Sequence, residues 1–444
     1  MSRTWLAVLL TILVLICSPA FAGEQTPPSE NKPADNKTSP EEKAAVVQGS
    51  EQPAKPKSFV EYRGGIRFWD RLVLKGYIQL WYRIENAENG ITQSSTGIKA
   101  DDISTGFIIH QARTSLNYNG DMFGARLEVG FESGIALMDC YAWFNAYKEY
   151  IRIFAGQMKI PSTYEVEMNS TDLDFATMSM FSDVVPNWQL SKHSDRANIQ
   201  QGIRTYARDI GASLKGSVKG FDYFFMVSNG LGANLGIGAS EGGKGWILSN
   251  DFGAYFYGLR VSYEFVELFK KKLERAKISS LWIASFGSYN YHRGMLYAGD
   301  GSTVLNLNRV AWDVEAGINF DKYVRLTGMY GECAINDNYL RSGKADYSCA
   351  GWEFKVMAAP IPNMLEAGFR IEGYKEVNGP NAAPDYMNSI TLGVSYRFLE
   401  HFRLDADYRF KRWGDDWFDY SPKSTIKHPY PNADNFILFL QAQF

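Results

Sequence analysis

The sequence predicts an all-β fold, a transmembrane antiparallel β-barrel of about sixteen strands with an inward-folded third loop. Three observations predict it. Runs of about ten residues alternate apolar and polar side chains, as residues 402–410 do. The gaps between these runs are alternately short and long. Aromatic residues make up 15% of the chain and glycine occurs 40 times, a composition typical of aromatic-rich strands joined by tight turns.

The N-terminal residues 1–22 have the pattern of a signal peptide. Arg3 precedes an apolar run over residues 6–16, and Ala20 and Ala22 form a small-residue cleavage site before Gly23. The alternative is a membrane anchor, but the apolar run is short for a helical span. Residues 23–59 are rich in Pro, Lys, Glu and Ser and have little to bury, so we expect a flexible periplasmic linker. The barrel is then expected over residues 60–444.

Charge and cysteine content exclude some classes of protein. The formal net charge of −3 gives no indication of a nucleic-acid partner. After removal of the leader an odd number of cysteines remains, so a disulfide framework is not expected. Cys333 and Cys349 flank one loop at the ends of neighbouring strands, and either a cross-strand bridge or two buried thiols fits this placement. Cys140 alternates with apolar residues and is interpreted as an outward-facing small hydrophobe.

The strand-like runs follow one another from residue 72 to residue 444. In order they are residues 72–84, 107–118, 123–133, 135–147, 150–158, 204–217, 221–230, 251–265, 278–291, 310–320, 323–333, 349–359, 364–374, 389–398, 402–410 and 435–444. Seven short turns, among them the charged turn over residues 266–277, and eight long loops join these runs. This asymmetry is typical of outer-membrane barrels, with the short turns on the periplasmic side.

A soluble β-sandwich is the alternative, because its strands also alternate. A barrel with an apolar outside and a wet inside accounts for the pattern more fully, since long strands carry charge on one face and aromatic residues near their ends. Aromatic rings at strand ends predict two girdles at the membrane interfaces. Members of this set are Trp81, Trp143, Tyr257, Tyr289 and Tyr396. We expect the last run to pair with the first, since closure leaves no free edge.

A lumen enclosed by about sixteen strands is too wide for side chains to fill, so water and a constricting segment are expected inside it. The third long gap, residues 159–202, is predicted to fold inward; the alternative is an external loop over the rim. The inward parity carries charges of both signs. The candidate pore-lining residues on this parity include Arg113, Arg126, Arg152, Glu128, Glu132 and Asp139. Among the other charged residues on the same parity are Asp209, Lys215, Arg325 and Lys355.

Four stretches of the chain resemble the phosphate-selective porin O and P family: residues 64–79, 111–145, 151–177 and 208–230. The most specific element is GQMKIPSTYE, residues 156–165. The resemblance implies a trimeric outer-membrane barrel whose infolded third loop narrows a path lined by basic residues. In the matched region these basic residues are Arg113, Arg126, Arg152 and Lys159. The predicted constriction residues are Pro161, Glu165, Asp172 and Asp174.

The function that this set of features predicts is passive diffusion of small hydrophilic solutes or anions, including phosphate, through a water-filled pore of a homotrimer in the outer membrane. An outer-membrane barrel with a blocked pore and a structural or adhesive role is the alternative. An enzyme is not expected, because none of the five histidines stands in a recognisable catalytic motif. No cofactor or metal is expected either, since Cys and His are few and scattered. The expected partners are outer-membrane lipid and small solutes or anions.

Overall fold

The computed structural model describes residues 66–69, 71–87, 104–132, 135–148, 150–190, 207–230, 255–296, 304–337, 347–378, 385–399, 401–413 and 433–444. The predicted signal peptide and linker lie outside these residues. The strands are β1 Ile66–Trp69, β2 Leu72–Ala87, β3 Ser104–Asn119, β4 Phe123–Gly130, β5 Ala136–Tyr147, β6 Ile151–Lys159, β7 Arg208–Val218, β8 Phe221–Ser228, β9 Tyr255–Glu264, β10 Ile278–Leu296, β11 Val304–Phe320, β12 Val324–Asp337, β13 Tyr347–Ile361, β14 Leu365–Asn378, β15 Asp385–Phe398, β16 Phe402–Trp413 and β17 Ala433–Gln443. The helices are α1 Tyr164–Glu167, α2 Met180–Leu190 and α3 Val266–Arg275.

The sheet is a closed ring. Each strand from β2 to β16 pairs antiparallel with the next strand in the chain, and β17 pairs with β2 to complete the circle. The short β1 pairs with the beginning of β2. A sandwich would have free edges at both sheets, whereas closure pairs every barrel strand on both sides. The predicted barrel of sixteen strands is confirmed.

The seam of the barrel extends to the last residue. The N–H of Gly76 donates to the carbonyl of Phe444 at 3.1 Å, and the N–H of Phe444 donates to the carbonyl of Gly76 at 2.9 Å. A Cβ on Gly76 would lie 2.4 Å from the Phe444 ring, so the ring can pack at this position because residue 76 is glycine. Phe444 is exposed on the outer face together with Leu438 and Leu440.

The outer wall is apolar and the inner wall is polar. Exposed side chains of the outer wall include Ile78, Leu80, Phe144, Ile153, Leu259, Ile283, Val314, Leu392 and Val394. Buried charged side chains of the inner wall include Arg113, Glu128, Arg260, Asp313, Lys355, Arg370 and Asp405. An apolar surface that encircles a protein suits hydrocarbon rather than water.

The aromatic residues divide between the two faces. Three of those predicted for the girdles are exposed on the outer wall: Tyr257, Tyr289 and Tyr396. The prediction was wrong for Trp81, which is buried in the lumen and whose ring stacks on that of His110 at 3.5 Å. It was also wrong for Trp143, whose ring lies under the guanidinium of Arg152, 4.7 Å from its centroid.

The connections between strands depart from expectation at two places. Seven connections form one rim, called the turn rim: those joining β3 to β4, β5 to β6, β7 to β8, β9 to β10, β11 to β12, β13 to β14, and β15 to β16. The connection from β9 to β10, expected as a charged turn, forms helix α3. The second loop, expected to be long, comprises only residues 131–135. No helix in the described ranges is long and apolar enough to cross a membrane.

Candidate functional site

The third loop lies inside the barrel and contacts its far wall. The N–H of Tyr164 donates to Glu315 on β11 at 2.6 Å. The N–H of Met180 donates to Glu372 on β14 at 2.7 Å. These strands lie far round the ring from β6, where the loop begins. The loop therefore crosses the lumen, as the sequence predicted.

The loop enters the lumen through the GQMKIPSTYE segment. Gly156 has a φ of +129°, and a Cβ there would lie 2.2 Å from the carbonyl oxygen of Cys140. Glycine is therefore required where β6 bends against β5. Lys159 ends β6, and its ammonium donates to the carbonyls of Val166 at 2.9 Å and Met168 at 2.6 Å. This predicted pore residue therefore holds the first turn of the loop.

A lysine at the centre of the far wall binds the two acidic residues on which the loop is docked. The ammonium of Lys355 lies 3.0 Å from Glu165 and 2.9 Å from Asp174. Arg325 also contacts Asp174, and Arg370 lies 3.8 Å from Glu165. Burial by itself would raise the pKa of both carboxyls, but the neighbouring cations more than offset it and hold both pKa values below their usual range. Glu165 and Asp174, predicted for the constriction, are thus anchors of the loop.

The two remaining predicted constriction residues also lie in the docked loop. Pro161 is buried beside β9, where a Cβ on Gly258 would lie 3.0 Å from its ring. Asp172 accepts a hydrogen bond from the amide of Asn169 at 3.0 Å. Burial raises the pKa of Asp172. Pro161 therefore packs the loop against the wall, and Asp172 forms its hydrogen bond within the loop.

An apolar notch on the wall receives helix α2. Phe181 sits over Gly331 and Gly351, which face each other on β12 and β13. A Cβ on Gly331 would lie 2.4 Å from the Phe181 ring, and a Cβ on Gly351 would lie 2.6 Å from the Cβ of Phe181. The next inward-facing pair, Cys333 and Cys349, is joined by a disulfide with its Cα atoms 5.0 Å apart. Of the two alternatives for these cysteines, the structure contains the bridge, and its sulfurs pack in the same apolar cluster as α2.

Five of the predicted pore residues meet in one cluster on β3, β4 and β5 and the start of the second loop: Arg113, Arg126, Glu128, Glu132 and Asp139. Arg113 lies 3.2 Å from Glu132 and 3.6 Å from Glu128. Arg126 contacts Glu128 and lies 3.1 Å from Asp139. Each guanidinium is therefore matched by carboxylates, and the cluster does not form an unpaired basic ladder.

Sequence reasoning missed the third cation of this cluster. Arg208 lies 2.6 Å from Asp139 and 3.3 Å from Glu128, although alternation assigned the adjacent Asp209 to the inner face. The chain enters β7 through Ala207, whose φ is +58°, and at this entry the simple alternation fails. The signal that could have found it is charge balance, because three inward carboxylates faced only two inward arginines there.

A cavity of about 400 Å³ opens in the inner wall near the turn rim. It is lined by Arg152, Phe154, Glu167, Lys215, Asp222, Tyr223, Phe224 and Arg260, among others. The ammonium of Lys215 lies over the Phe224 ring, 3.5 Å from its centroid. Arg152 donates to the amide oxygen of Asn145 at 2.8 Å. Within the described ranges, neither cation forms an ion pair with a carboxylate.

Glu167 brings a carboxylate to the edge of this cavity from the third loop. One of its oxygens lies 3.6 Å from the guanidinium of Arg260, and about a third of its side chain is exposed. Burial raises the pKa of Glu167, and this exceeds the lowering by Arg260 and Lys215. The charge of the cavity therefore depends on protonation of one loop residue.

Metal-binding clusters and catalytic arrangements were not expected from the sequence. In the part of the chain that the structure describes, no three His, Cys, Asp or Glu side chains are placed to bind a metal ion. His193 and His428 lie outside the described residues.

Comparison with known proteins supports the architecture. No protein-family model matches the sequence, and no curated protein matches it. Among solved structures, the anion-selective porin from Comamonas acidovorans is similar, with a TM-score of 0.55 and 15% identity over 84% of this chain and 99% of that chain. The outer membrane protein OmpT of Vibrio cholerae has a TM-score of 0.54 at 10% identity, covering 86% of this chain and 99% of that one. OmpF of Salmonella typhi, in complex with daunomycin, has a TM-score of 0.52 at 14% identity, covering 86% and 100%. At these identities the likeness shows the fold, which is that of the outer-membrane porins.

Proposed function

We propose that this protein is an outer-membrane channel through which small hydrophilic solutes diffuse passively, with a preference for anions. The observation that carries the preference is the pair Arg152 and Lys215, which lines the cavity near the turn rim without a carboxylate partner in the described residues. Unpaired positive charge in a water-filled passage attracts anions and repels cations. The cluster around Arg113 adds little, because its charges are balanced.

The position of the third loop supports a narrow channel. Most of its anchors lie on β9 to β16, and they bury the inner wall there, for example Arg370 at 0% exposed and Arg403 at 2%. One further contact, from the Gln79 amide to the carbonyl of Ser170 at 3.2 Å, reaches β2. We propose that the open passage lies on the side of β2 to β8, where the cavity near the turn rim opens. We propose that the pore-lining set of Arg113, Arg126, Arg152, Lys159, Glu128, Glu132 and Asp139 borders this passage, and that only Arg152 in this set is available to a passing anion.

The apolar outer wall supports insertion in a membrane, and the resemblance to the phosphate-selective porin O and P family supports an outer membrane, with the turn rim in the periplasm. We propose cleavage after residue 22, a periplasmic linker over residues 23–59, a homotrimeric assembly and phosphate among the anions admitted. We propose no catalytic activity.

A blocked barrel with a structural or adhesive role is the second candidate. It is favoured by the extent of burial on the far wall, where Lys355 and Glu372 have 2% and 1% of their surface exposed. An open channel conducts ions and a blocked barrel does not, so conductance distinguishes the two candidates.

Planar-bilayer recording across a salt gradient tests the proposal. We expect stepwise increases of current as single channels open. We also expect the reversal potential to have the sign that anion-selective permeation produces in this gradient. Intact, inserted protein without openings would favour the blocked barrel. Openings with a reversal potential of the opposite sign, set by cation flow, would support a channel but contradict the anion preference. Competition between chloride and inorganic phosphate in the same recordings would test phosphate as a permeant ion.

A further inference from the structure

Helix α3 sets one connection of the turn rim apart from the others. The six other connections of that rim have two or three residues, whereas residues 265–277 separate β9 from β10. The first turn of α3 closes on the carbonyl of Phe265, which accepts from the N–H groups of Leu268 and Phe269 at 3.1 Å each. The backbone then kinks at Phe269 and continues as helix to Arg275. Six of the seven connections show that a tight turn suffices here, so closure of the hairpin does not explain α3.

The apolar side of α3 continues the outer wall of the barrel. Tyr263 lies on the outward parity of β9 with Leu259, opposite to the buried Arg260. The Phe265 ring meets the Tyr263 ring edge-on at 4.9 Å, and the Phe269 ring stacks on Phe265 at 6.3 Å. This aromatic column leads from the membrane-facing surface directly onto the helix.

Two large apolar side chains of α3 remain uncovered. Leu273 is buried, which seats the helix against the barrel beside β10. Leu268 is 61% exposed and Phe269 is 42% exposed. Apolar side chains of this size next to a lipid-facing wall suit the boundary between headgroups and acyl chains.

The polar side of α3 is basic. Lys270, Lys271, Lys272 and Arg275 are all exposed. The sequence of α3 also contains Glu267 and Glu274, so its four cations exceed its two carboxylates. A helix with large apolar side chains on one side and several cations on the other is the pattern of an interfacial helix. Each such cation close to a surface of anionic lipid contributes a favourable attraction.

We propose that α3 binds the phosphate headgroups of anionic phospholipids in the membrane leaflet next to the turn rim. Leu268 and Phe269 enter the interface, and the lysines contact the headgroups. The proposal rests on the proposed location of the barrel in a membrane and is independent of whether the pore conducts. Continuity with the lipid-facing wall argues for lipid as the occupant rather than a soluble protein.

A fluorophore attached through Leu268→Cys, in a Cys140→Ala background, tests this binding with the full-length protein. The purified protein in detergent is titrated with phosphatidylglycerol and, separately, with phosphatidylcholine. We expect a blue shift of emission at lower concentrations of phosphatidylglycerol, weakened by salt. Replacing Lys270, Lys271 and Lys272 by Gln should raise the apparent Kd by about fivefold per lysine.

The matched control carries Lys148→Gln, Lys219→Gln and Lys322→Gln, which remove the same charge from three other connections of the turn rim. It should leave the lipid response unchanged. Equal shifts with both lipids, or equal losses in both triple variants, would overturn the proposal. A shift that needs no lipid and grows with protein concentration would indicate a second copy as the occupant and would also overturn it. Conductance of the same variants is recorded separately, so a silent pore counts against the channel alone.

Discussion

The ammonium of Lys355 lies 3.0 Å from a carboxylate oxygen of Glu165, although 190 residues separate them in the chain. Glu165 belongs to the third loop and Lys355 to the far wall of the barrel. Their contact, together with the bond from Lys355 to Asp174, fixes how far the loop extends across the lumen. The loop is thus held in place by ion pairs between buried groups. Because these charges are buried, each one is strongly destabilising without its partner.

Lys355→Met should release the third loop. It leaves Glu165 and Asp174 buried without their shared cation, and loss of one partner from a buried ion pair costs about 3–5 kcal/mol. We expect faster amide hydrogen exchange over residues 160–190 and a larger, noisier single-channel conductance. Lys322→Met, at an exposed turn, is the control and should change neither. Unchanged exchange in the loop would show that other contacts suffice.

Replacing Arg152 and Lys215 by Gln should weaken anion preference. A unit charge about 4 Å away in water is worth about 1 kcal/mol, so the permeability ratio of chloride to potassium should fall by up to about fivefold for each charge removed. Reversal potentials in a salt gradient measure this ratio. A variant with Lys148→Gln and Lys322→Gln changes net charge equally outside the cavity and should retain the wild-type ratio. If both variants behave alike, the cavity does not set selectivity.

Anion preference should rise as pH falls, through protonation of Glu167. Because the pKa of this carboxyl is raised in the folded protein, its neutral form appears at pH values above the usual glutamate range. Loss of that negative charge beside Lys215 leaves the cavity more positive. Reversal potentials measured stepwise from pH 7 to pH 5 should therefore move in the anion direction.

Glu167→Gln is the decisive variant for this pH effect. At pH 7 this variant should already have the stronger anion preference that the wild type shows at low pH. Its reversal potential should therefore change little between pH 7 and pH 5. The control variant Glu274→Gln, on the exposed helix α3, should show the same pH dependence of the reversal potential as the wild type. A wild-type slope in Glu167→Gln would assign the effect to another group.

Gly156→Ala should destabilise the barrel where the third loop begins. A non-glycine residue held at a φ of +129° costs about 1–3 kcal/mol in backbone strain alone, and the added Cβ would also clash with the carbonyl oxygen of Cys140. The measurement is the urea midpoint of unfolding in detergent. Gly287→Ala on β10 is the control, since a Cβ there meets nothing within 4 Å. Equal midpoints would mean that β6 relaxes without cost.

The Cys333–Cys349 bridge predicts a specific pattern of thiol reactivity. In denaturant without reductant, Cys140 alone among Cys140, Cys333 and Cys349 should react with a maleimide, and all should react after reduction. Replacing both bridged cysteines by Ser should cost about 3 kcal/mol, the value for a closed loop of this length. Reaction of all the cysteines before reduction would contradict the bridge.

Much of the fold was predictable because strand alternation is a local property. In residues 402–410 each inward Arg or Asp is flanked by outward apolar residues, and that parity alone separates water from hydrocarbon. Prediction failed where the backbone departs from regular pleating. His110 falls at the irregular pairing of β2 with β3 and turns to stack on Trp81, and Arg208 follows the left-handed Ala207.

The candidate site was predictable only in its parts. The sequence indicated that residues 159–202 were long enough to enter the lumen and that Glu165 and Asp174 were in them. It contained no signal for the partners of these residues, because Lys355 and Arg325 read as ordinary inward charges. Likewise, alternation placed Arg152 and Lys215 inside, but it could not show that they lack carboxylate partners while Arg113 has two.

By itself the sequence determined the strand count, the apolar outer face, the closing pair of strands and the loop that turns inward, because each follows from a period of two and from connection length. Only the tertiary structure decided which charges are neutralised, where Phe181 docks and that the N–H of Ala176 meets Asp407 across 231 residues. Such contacts depend on the curvature and register of the whole ring. A strand pattern specifies which side a residue faces, whereas ring closure specifies what stands opposite to it.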